Sequence, residues 1–280
     1  MKKILRCLAF VVVLVSLLVI MLPNPVSAIQ NGSSDGNNHP FVCLVVFFDA
    51  DYTPLWRTTG ELISPTVVLT AGHGTYGTTY ASVWFDSTIP ASSLTGYPYY
   101  GTTGYDGIPH TISTYKAEPT PGLPGFDYHD VGVVVLDEPV PTNVVSASDY
   151  GLLPSAGDVD ALNMMASIDL VGYGVTSQIR GKGITPDTSW TWDRQRNYAP
   201  AAFIKSSGVL SSEFMKLTAN PGNGKGGTTF GDSGGPILEA GTTTILGINS
   251  FVTNYNCDGV TYAQRIDITD ILSWINTFID

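Results

Sequence analysis

The chain has 280 residues, with 13 Lys or Arg and 24 Asp or Glu side chains, and its formal net charge at pH 7 is −11. This charge excludes nucleic acid as an expected partner, because phosphate binding requires clustered Lys and Arg side chains. A chain of this length can bury a large hydrophobic core.

The N-terminal segment has the pattern of a secretory signal peptide. Basic residues at positions 2, 3 and 6 precede the apolar stretch Leu8–Leu22, and the small-residue site Val26-Ser27-Ala28 follows. A membrane anchor is the alternative, but a spanning helix needs about 20 apolar residues and Pro23 comes too early. We therefore expect cleavage after Ala28, a secreted extracellular protein, and no membrane anchor after cleavage. Removing residues 1–28 removes three basic residues and no acidic ones, so the net charge becomes −14.

Short β-branched runs recur between segments rich in Gly, Pro, Ser, Thr, Asn and Tyr, which is typical of an all-β sandwich or barrel. The clearest predicted strands are Phe41–Phe48, Val67–Thr70, Val131–Leu136, Leu170–Val171 and Thr244–Ile248. Cys43 and Cys257 remain after cleavage, so at most one disulfide bond can form, and the sequence leaves their pairing open.

Two segments, Ser87–Thr120 and Ser177–Tyr198, have the composition of loops, and each is either a substrate-contacting insertion or a solvated surface loop. The composition also changes near Pro141–Asp160, which predicts one unit over residues 29–150 and a second over residues 151–280. At the C-terminus, polar Thr269 and Asp270 precede an apolar stripe with helical spacing. We expect a terminal helix that packs on the body of the protein.

The segment Gly231-Asp232-Ser233-Gly234-Gly235-Pro236 predicts a catalytic serine. A serine hydroxyl is a poor nucleophile at neutral pH, so it needs an adjacent base, a group that orients the base, and donors for the oxyanion. Glycines on both sides of Ser233 allow a turn that directs the amides of Gly231 and Ser233 toward one point. An ordinary glycine-rich turn is the alternative, and the strand that begins at Pro236 disfavours it.

Four histidines are candidates for the base. His73 follows a β-branched strand that ends in small residues, which would place its imidazole at the end of the strand. His39 and His110 lie in polar or Pro/Gly-rich stretches, where a surface histidine is expected. His129 competes with His73, because it neighbours Asp130.

The candidate orienting carboxylate is Asp130, which precedes the apolar run Val131–Leu136. A charge beside such a run needs a partner, and His73 would supply one. A surface turn, as expected for Asp127, is the alternative position.

The three segments, in the order His, Asp, Ser, resemble the chymotrypsin/trypsin family of serine proteases. The resemblance is carried by Thr70-Ala71-Gly72-His73-Gly74, by His129-Asp130-Val131-Gly132-Val133-Val134 and by the unchanged Gly231–Pro236 segment; the first departs from the family in lacking the cysteine after the histidine. Further similarities are Gly60-Glu61-Leu62-Ile63-Ser64, Gly172-Tyr173-Gly174, Gly247-Ile248-Asn249-Ser250-Phe251 and the closing helix with Trp274-Ile275.

This resemblance implies two six-stranded antiparallel β-barrels with a C-terminal helix. His73 and Asp130 would come from the first barrel and Ser233 from the second. Catalysis would follow the serine endopeptidase route, with Gly231 and Ser233 forming the oxyanion hole. Since His73 must lose its proton to act as a base, we expect activity to rise near pH 6.5, at about the ordinary pKa of histidine, and to fall at alkaline pH.

The family also implies an activation contact, in which a newly freed N-terminus pairs with the aspartate before the nucleophile. Ile29 directly follows the predicted cleavage site, so we expect its ammonium to pair with Asp232. The alternative is a frayed N-terminus, because Gln30 and Asn31 depart from the family pattern.

The resemblance places Gly227 where trypsin-like members carry the acid that selects Lys or Arg, so a tryptic preference is not expected. Ser250, Phe251 and Val252 would form the substrate-binding wall, with backbone groups available to an extended peptide. Val252 replaces a glycine, which favours a small or medium apolar side chain before the scissile bond. Thr229 stands in place of a pocket cysteine that Cys257 would otherwise partner.

Two other functions are compatible with parts of this pattern. A secreted protease-like binding protein without activity would normally lack a triad residue, and none is missing. An ester hydrolase would carry a Gly-x-Ser-x-Gly turn between a strand and a helix, whereas the segment after Ser233 is strand-like. We expect protein or peptide substrates, a monomer, and no cofactor or metal ion.

Overall fold

The computed structural model describes residues 29, 32–89, 104–118, 126–175, 177–180, 188–204, 212–220, 225–254, 257 and 259–279. The predicted signal peptide lies outside these residues. The described strands are β1 (Ser33–Ser34), β2 (Val42–Phe48), β3 (Pro54–Ser64), β4 (Val67–Thr70), β5 (Tyr80–Trp84), β6 (Tyr105–Thr111), β7 (Lys116–Glu118), β8 (Phe126–Tyr128), β9 (Gly132–Leu136), β10 (Ser167–Gly172), β11 (Ser177–Arg180), β12 (Thr188–Thr191), β13 (Asn197–Ile204), β14 (Phe214–Ala219), β15 (Pro236–Glu239), β16 (Ile245–Val252) and β17 (Gly259–Arg265). The described helices are α1 (Gly72–Thr75), a 3-10 helix (Ala147–Asp149), α2 (Asp158–Ala161) and α3 (Thr269–Asn276).

The first barrel closes in the order β2-β3-β4-β9-β6-β5, and its neighbouring strands are antiparallel. Every residue of β2 is buried, which agrees with its unbroken β-branched and aromatic sequence. Each fully buried Val, Leu or Phe side chain stabilises the fold by about 1.5–3 kcal/mol relative to an exposed one. The apolar core of this barrel is therefore a main source of its stability.

The second barrel follows the order β13-β10-β15-β16-β17-β14 and is closed by the pairing of β13 with β14. The short strand β1 pairs with the first two residues of β13. The prediction of two six-stranded antiparallel barrels is therefore confirmed.

The first described residue and the C-terminal helix each pack against the barrel that lies farther away in sequence. Ile29 is buried in the apolar cluster of the second barrel, beside Ile168 and Leu170. The C-terminal helix α3 buries Ile271 and Ile275 in the cluster that contains the first-barrel core. The predicted terminal helix is confirmed, and its apolar stripe packs on the body of the protein.

The prediction of loops over Ser87–Thr120 and Ser177–Tyr198 is wrong for the strands within them. Strand β6 lies in the first barrel between β5 and β9, although Gly107 and Pro109 resemble strand breakers. Gly107 has a packing reason, because a Cβ atom there would lie 2.4 Å from the carbonyl oxygen of Val135. In the second segment, β11 and β12 form a separate two-stranded sheet.

Candidate active site

The pairing of β4 with β9 brings His73 and Asp130 together. Thr70 pairs with Gly132, so the residues that follow β4 lie beside those that precede β9. The backbones approach so closely that a Cβ atom on Gly72 would lie 2.8 Å from the Val131 nitrogen. This close approach requires a residue without a side chain immediately before His73.

Asp130 holds His73 through two hydrogen bonds. The ring Nδ1 lies 2.8 Å from Oδ2 of Asp130, and the His73 backbone N–H donates to Oδ1 at 2.7 Å. Ser250 donates its hydroxyl to Oδ2 at 2.5 Å, and Asp130 donates its own N–H to Gln264 at 3.1 Å. The carboxylate is about 1% exposed and the imidazole 30% exposed. Burial and four hydrogen bonds therefore fix the position of Asp130, and Asp130 in turn fixes the orientation of the imidazole.

Two carboxylates affect the protonation of His73. Burial lowers the pKa of His73, but the charge and hydrogen bond of Asp130 and the charge of Asp127 outweigh it, so the pKa lies above its ordinary value of 6.5. Asp127 accepts a hydrogen bond from the Tyr115 hydroxyl at 2.7 Å and lines the same pocket as His73. Asp127 is therefore part of the site and not the surface-turn residue that its sequence context suggests.

We expect the variant Asp127→Asn to shift the acidic limb of the pH–activity profile toward lower pH. The substitution removes a charge that favours protonated His73 and keeps an acceptor for Tyr115. The share of maximal activity retained at pH 6 should rise about twofold, because more His73 is then neutral. The measurement is kcat/KM from pH 5 to 9. The control is Asp149→Asn, which should leave the acidic limb of the profile unchanged. An unchanged acidic limb in Asp127→Asn as well would show that Asp127 does not influence the protonation of His73.

The loop that carries Ser233 is held at several backbone positions. Gly231 and Gly234 have φ angles of +95° and +75°, which L side chains rarely adopt. The carbonyl of Ser233 accepts the N–H of Thr59 at 2.9 Å, and Gly234 donates its N–H to Asn249 at 2.7 Å. Among the described residues, the N–H groups of Gly231 and Ser233 have no hydrogen-bond acceptor. Two donors beside the serine are therefore available to a ligand.

A pocket of about 260 Å³ joins these parts. His73, Asp130 and Ser233 line it, as do Ser250, Phe251 and Val252 from the predicted substrate-binding wall. Within the described residues, His73 and Ser233 are not hydrogen-bonded to each other; such contacts are often longer in ligand-free sites.

Four lining residues were not predicted from the sequence: Asp127, Thr228, Phe230 and Asn249. Thr229 also lines the pocket, whereas Gly227 is not among its lining residues. A Cβ atom at Gly227 would lie 2.4 Å from the Cβ of Ala219, so this position cannot easily accept an acidic side chain. The sequence signal that could have identified Asn249 is an amide inside the buried strand β16, directly before Ser250.

The three remaining histidines lie elsewhere. His129 has Nε2 at 3.6 Å from Glu213, and its φ angle is +48°. His110 packs against Phe278. The expectation of a surface position is wrong for His39, whose Nδ1 lies 2.5 Å from the buried carboxylate of Asp35 and whose side chain is 15% exposed.

Asp232 is buried, and its hydrogen bonds do not involve Ile29. It accepts the N–H of Gly174 at 2.7 Å and both the N–H and the hydroxyl of Thr229, at 2.8 and 2.9 Å. Burial raises the pKa of Asp232 to about 6, although these hydrogen bonds and the charge of Arg57 lower it. While residues 1–28 remain attached, the nitrogen of Ile29 is an uncharged peptide nitrogen. Among the residues that the structure describes, no ammonium is hydrogen-bonded to this carboxylate.

Cys43 and Cys257 are both buried, and no disulfide bond joins them. The side chains of His73, Asp127 and Asp130 place potential metal-ligating atoms within 4.8 Å of one another. Each of the three side chains is already hydrogen-bonded within the protein, which disfavours a metal ion at this position. The expectation of a site without a metal ion stays a prediction. In the part of the chain that the structure describes, no helix is long and apolar enough to cross a membrane.

Two closed antiparallel barrels, with Ser, His and Asp side chains at one pocket, define a chymotrypsin-like serine protease fold. The family model described as Trypsin matches residues 30–275, and the chain belongs to that family. No curated protein sequence gives a significant match.

The solved structures that resemble the chain are distant in sequence. HL collagenase shares 18% identity and a TM-score of 0.63, with 92% of this chain and 100% of that chain covered. GrC shares 16% identity and a TM-score of 0.58, with 88% and 97% covered. At these identities the likeness establishes the fold.

Proposed function

We propose that the protein is a secreted serine endopeptidase that hydrolyses peptide bonds through an acyl-enzyme at Ser233. The observation that carries this proposal is the Asp130–His73 pair, bonded at 2.8 Å and sharing one pocket with Ser233. Trypsin-family membership and the fold support a peptidase function, and the site supplies the groups that acyl transfer needs.

In the proposed reaction, His73 takes the Ser233 proton as the hydroxyl oxygen attacks the scissile carbonyl carbon. Asp130 holds Nδ1 of the ring, so that Nε2 faces the serine and the resulting imidazolium is stabilised. The N–H groups of Gly231 and Ser233 stabilise the oxyanion. His73 then donates the proton to the leaving amine, and water hydrolyses the acyl-enzyme by the same route. The apparent pKa of His73 sets the acidic limit of activity.

The test is covalent labelling of the mature protein with a fluorophosphonate. We expect one adduct on Ser233, none in the variant Ser233→Ala, and normal labelling in Ser148→Ala, which changes an exposed serine. Hydrolysis of a protein substrate should disappear together with the adduct. An unlabelled, folded and correctly processed protein would favour the alternative, a secreted protease-like binding protein without activity.

We also propose that signal-peptide removal activates the enzyme through Ile29. The freed ammonium of Ile29 would give the buried carboxylate of Asp232 a positively charged partner. Asp232 directly precedes the nucleophile, Ser233. An unpaired buried charge costs several kcal/mol, so the oxyanion loop would become ordered when the pair forms.

Adding one alanine before Ile29 should lower kcat/KM by at least about tenfold, because the displaced ammonium can no longer pair with Asp232. The measurement compares this protein with the chain that begins at Ile29, with N-termini checked by mass spectrometry. Full activity of the extended chain would contradict the activation proposal and leave the peptidase assignment intact. Above the pKa of the ammonium the pair is lost, so activity should also fall in the alkaline range.

Substrate would lie along β16, with Ser250, Phe251 and Val252 forming one wall of the pocket. Gly227 provides no acid to select Lys or Arg, which supports a non-tryptic preference. Secretion, a monomeric state, and activity without a cofactor or metal ion belong to the same proposal.

A further inference from the structure

Within the part of the chain that the structure describes, one amide side chain of the pocket wall has no hydrogen-bond partner. Asn249 is 2% exposed and lines the pocket beside Ser233. Its backbone is fully used, because its N–H donates to Gly235 and its carbonyl accepts from Gly234. Both Oδ1 and Nδ2 are buried and have no hydrogen-bond partner within the described part of the chain. Buried polar atoms are nearly always hydrogen-bonded, so this donor and this acceptor indicate a missing ligand.

The other polar side chains of the wall are already engaged. The hydroxyl of Thr228 is bonded to the hydroxyl of Thr261. The one hydroxyl proton of Thr229 is shared between the carbonyl of Val175, at 2.8 Å, and the carboxylate of Asp232, and Ser250 donates to Asp130. Among the described side chains of this wall, Asn249 therefore offers the polar group that is not yet hydrogen-bonded.

The charge around Asn249 limits what it can bind. Within the described residues, no Lys or Arg lines the pocket, so a carboxylate would meet no cation there. A cationic side chain would find the carboxylates of Asp127 and Asp130 in the same pocket, but both already accept hydrogen bonds from neighbouring side chains of the protein.

A neutral carboxamide matches both atoms of Asn249. It can donate to Oδ1 and accept from Nδ2, whereas a carboxylate satisfies only the donor and an ammonium only the acceptor. An aliphatic side chain would leave both atoms buried and unpaired. Sites built to hydrogen-bond a substrate group discriminate strongly against analogues that lack it.

We propose that the pocket beside Ser233 binds a substrate side chain that ends in a carboxamide, glutamine or asparagine, and that Asn249 selects it. This inference rests on the proposed function and specifies its substrate class. It replaces the sequence-based expectation of an apolar residue before the scissile bond.

The test uses peptides that differ only in that residue, with Gln, Asn, Met, Glu or Lys before the same cleavable bond. Rates are divided by the concentration of fluorophosphonate-labelled sites. We expect the mature enzyme to cleave the better carboxamide peptide at least about tenfold faster, in kcat/KM, than the Met, Glu and Lys peptides.

The variant Asn249→Leu keeps nearly the same side-chain shape and removes the amide. It should bring the Gln/Met ratio near or below one, while Asn276→Leu, the same change at an exposed position of α3, should leave the ratio unchanged.

A labelled wild-type enzyme that cleaves the Met peptide as fast as the carboxamide peptides would overturn the specificity and leave the peptidase function standing. An unaltered ratio in labelled Asn249→Leu would likewise show that Asn249 does not select the side chain. Absence of any labelling would instead reject the proposed function and this inference with it.

Discussion

The variant Arg196→Met should lose about 3–5 kcal/mol of unfolding free energy, because it breaks a buried ion pair and leaves the partner charge behind. Arg196 is fully buried, and its Nε donates to Asp35 at 2.9 Å. Its other nitrogens donate to the carbonyls of Val42 and Phe85, to the Tyr173 hydroxyl and to Asn37. One guanidinium thus joins the N-terminal segment to both barrels.

The pH dependence of this loss has a defined sign. Burial raises the pKa of Asp35, but the hydrogen bond of His39 and the charge of Arg196 outweigh it, so the folded-state pKa is lowered. The stabilisation is therefore complete above the unfolded-state pKa of about 3.9 and is lost as pH falls through the folded-state value. The difference between wild type and variant should shrink in strong acid.

Urea unfolding at pH 7 and in acid measures both effects. Arg194→Met is the matched control, since Arg194 is partly exposed and lies 5.2 Å from the centre of the Trp192 ring. The variant Arg194→Met should lose no more than about 1 kcal/mol of unfolding free energy. Equal losses in the two variants would show that the buried pair has no special weight.

The sequence pattern predicted an all-β fold and the terminal helix, because β-branched runs and apolar spacing are local signals, whereas the two six-stranded barrels were predicted from the resemblance to the chymotrypsin/trypsin family. The triad candidates followed from short motifs, and the structure brings His73, Asp130 and Ser233 to one pocket. Strand β6 was missed because Gly107 and Pro109 resemble loop residues. Only the close approach of the β9 backbone explains the glycine.

Contacts between residues far apart in sequence were beyond sequence reasoning. Asp35 lies only four positions before His39, but Arg196, which pairs with Asp35 in the interior, lies 161 positions away, so the sequence around His39 did not indicate that this carboxylate is buried. Asp127 was expected in a surface turn, and the hydroxyl of Tyr115 holds it in the site instead. Asn249 lies in a matched motif, but its unpaired amide is visible only once the pocket is closed around it.

Replacing the buried Glu61 should also change the unfolding free energy strongly, but this substitution should stabilise the protein, whereas Arg196→Met should destabilise it. Glu61 lies on β3, is fully buried, and both its carboxylate oxygens lack a hydrogen-bond partner within the described residues. Burial raises its pKa well above the ordinary value. The folded protein therefore favours the neutral acid, while the unfolded chain ionises above a pKa of about 4.3.

Glu61→Met should raise the unfolding free energy by about 1–3 kcal/mol at pH 7, since it removes an unsatisfied buried group of similar length. The contribution of Glu61 to wild-type stability is highest below the unfolded-state pKa of Glu61 and falls as pH rises toward its folded-state pKa, so the advantage of the variant should grow from pH 4 to pH 8. Urea unfolding across this range tests the sign, with Glu239→Met as the exposed control. A pH-independent difference, or a loss of stability in Glu61→Met, would mean that the Glu61 carboxyl group is satisfied by a partner such as ordered water.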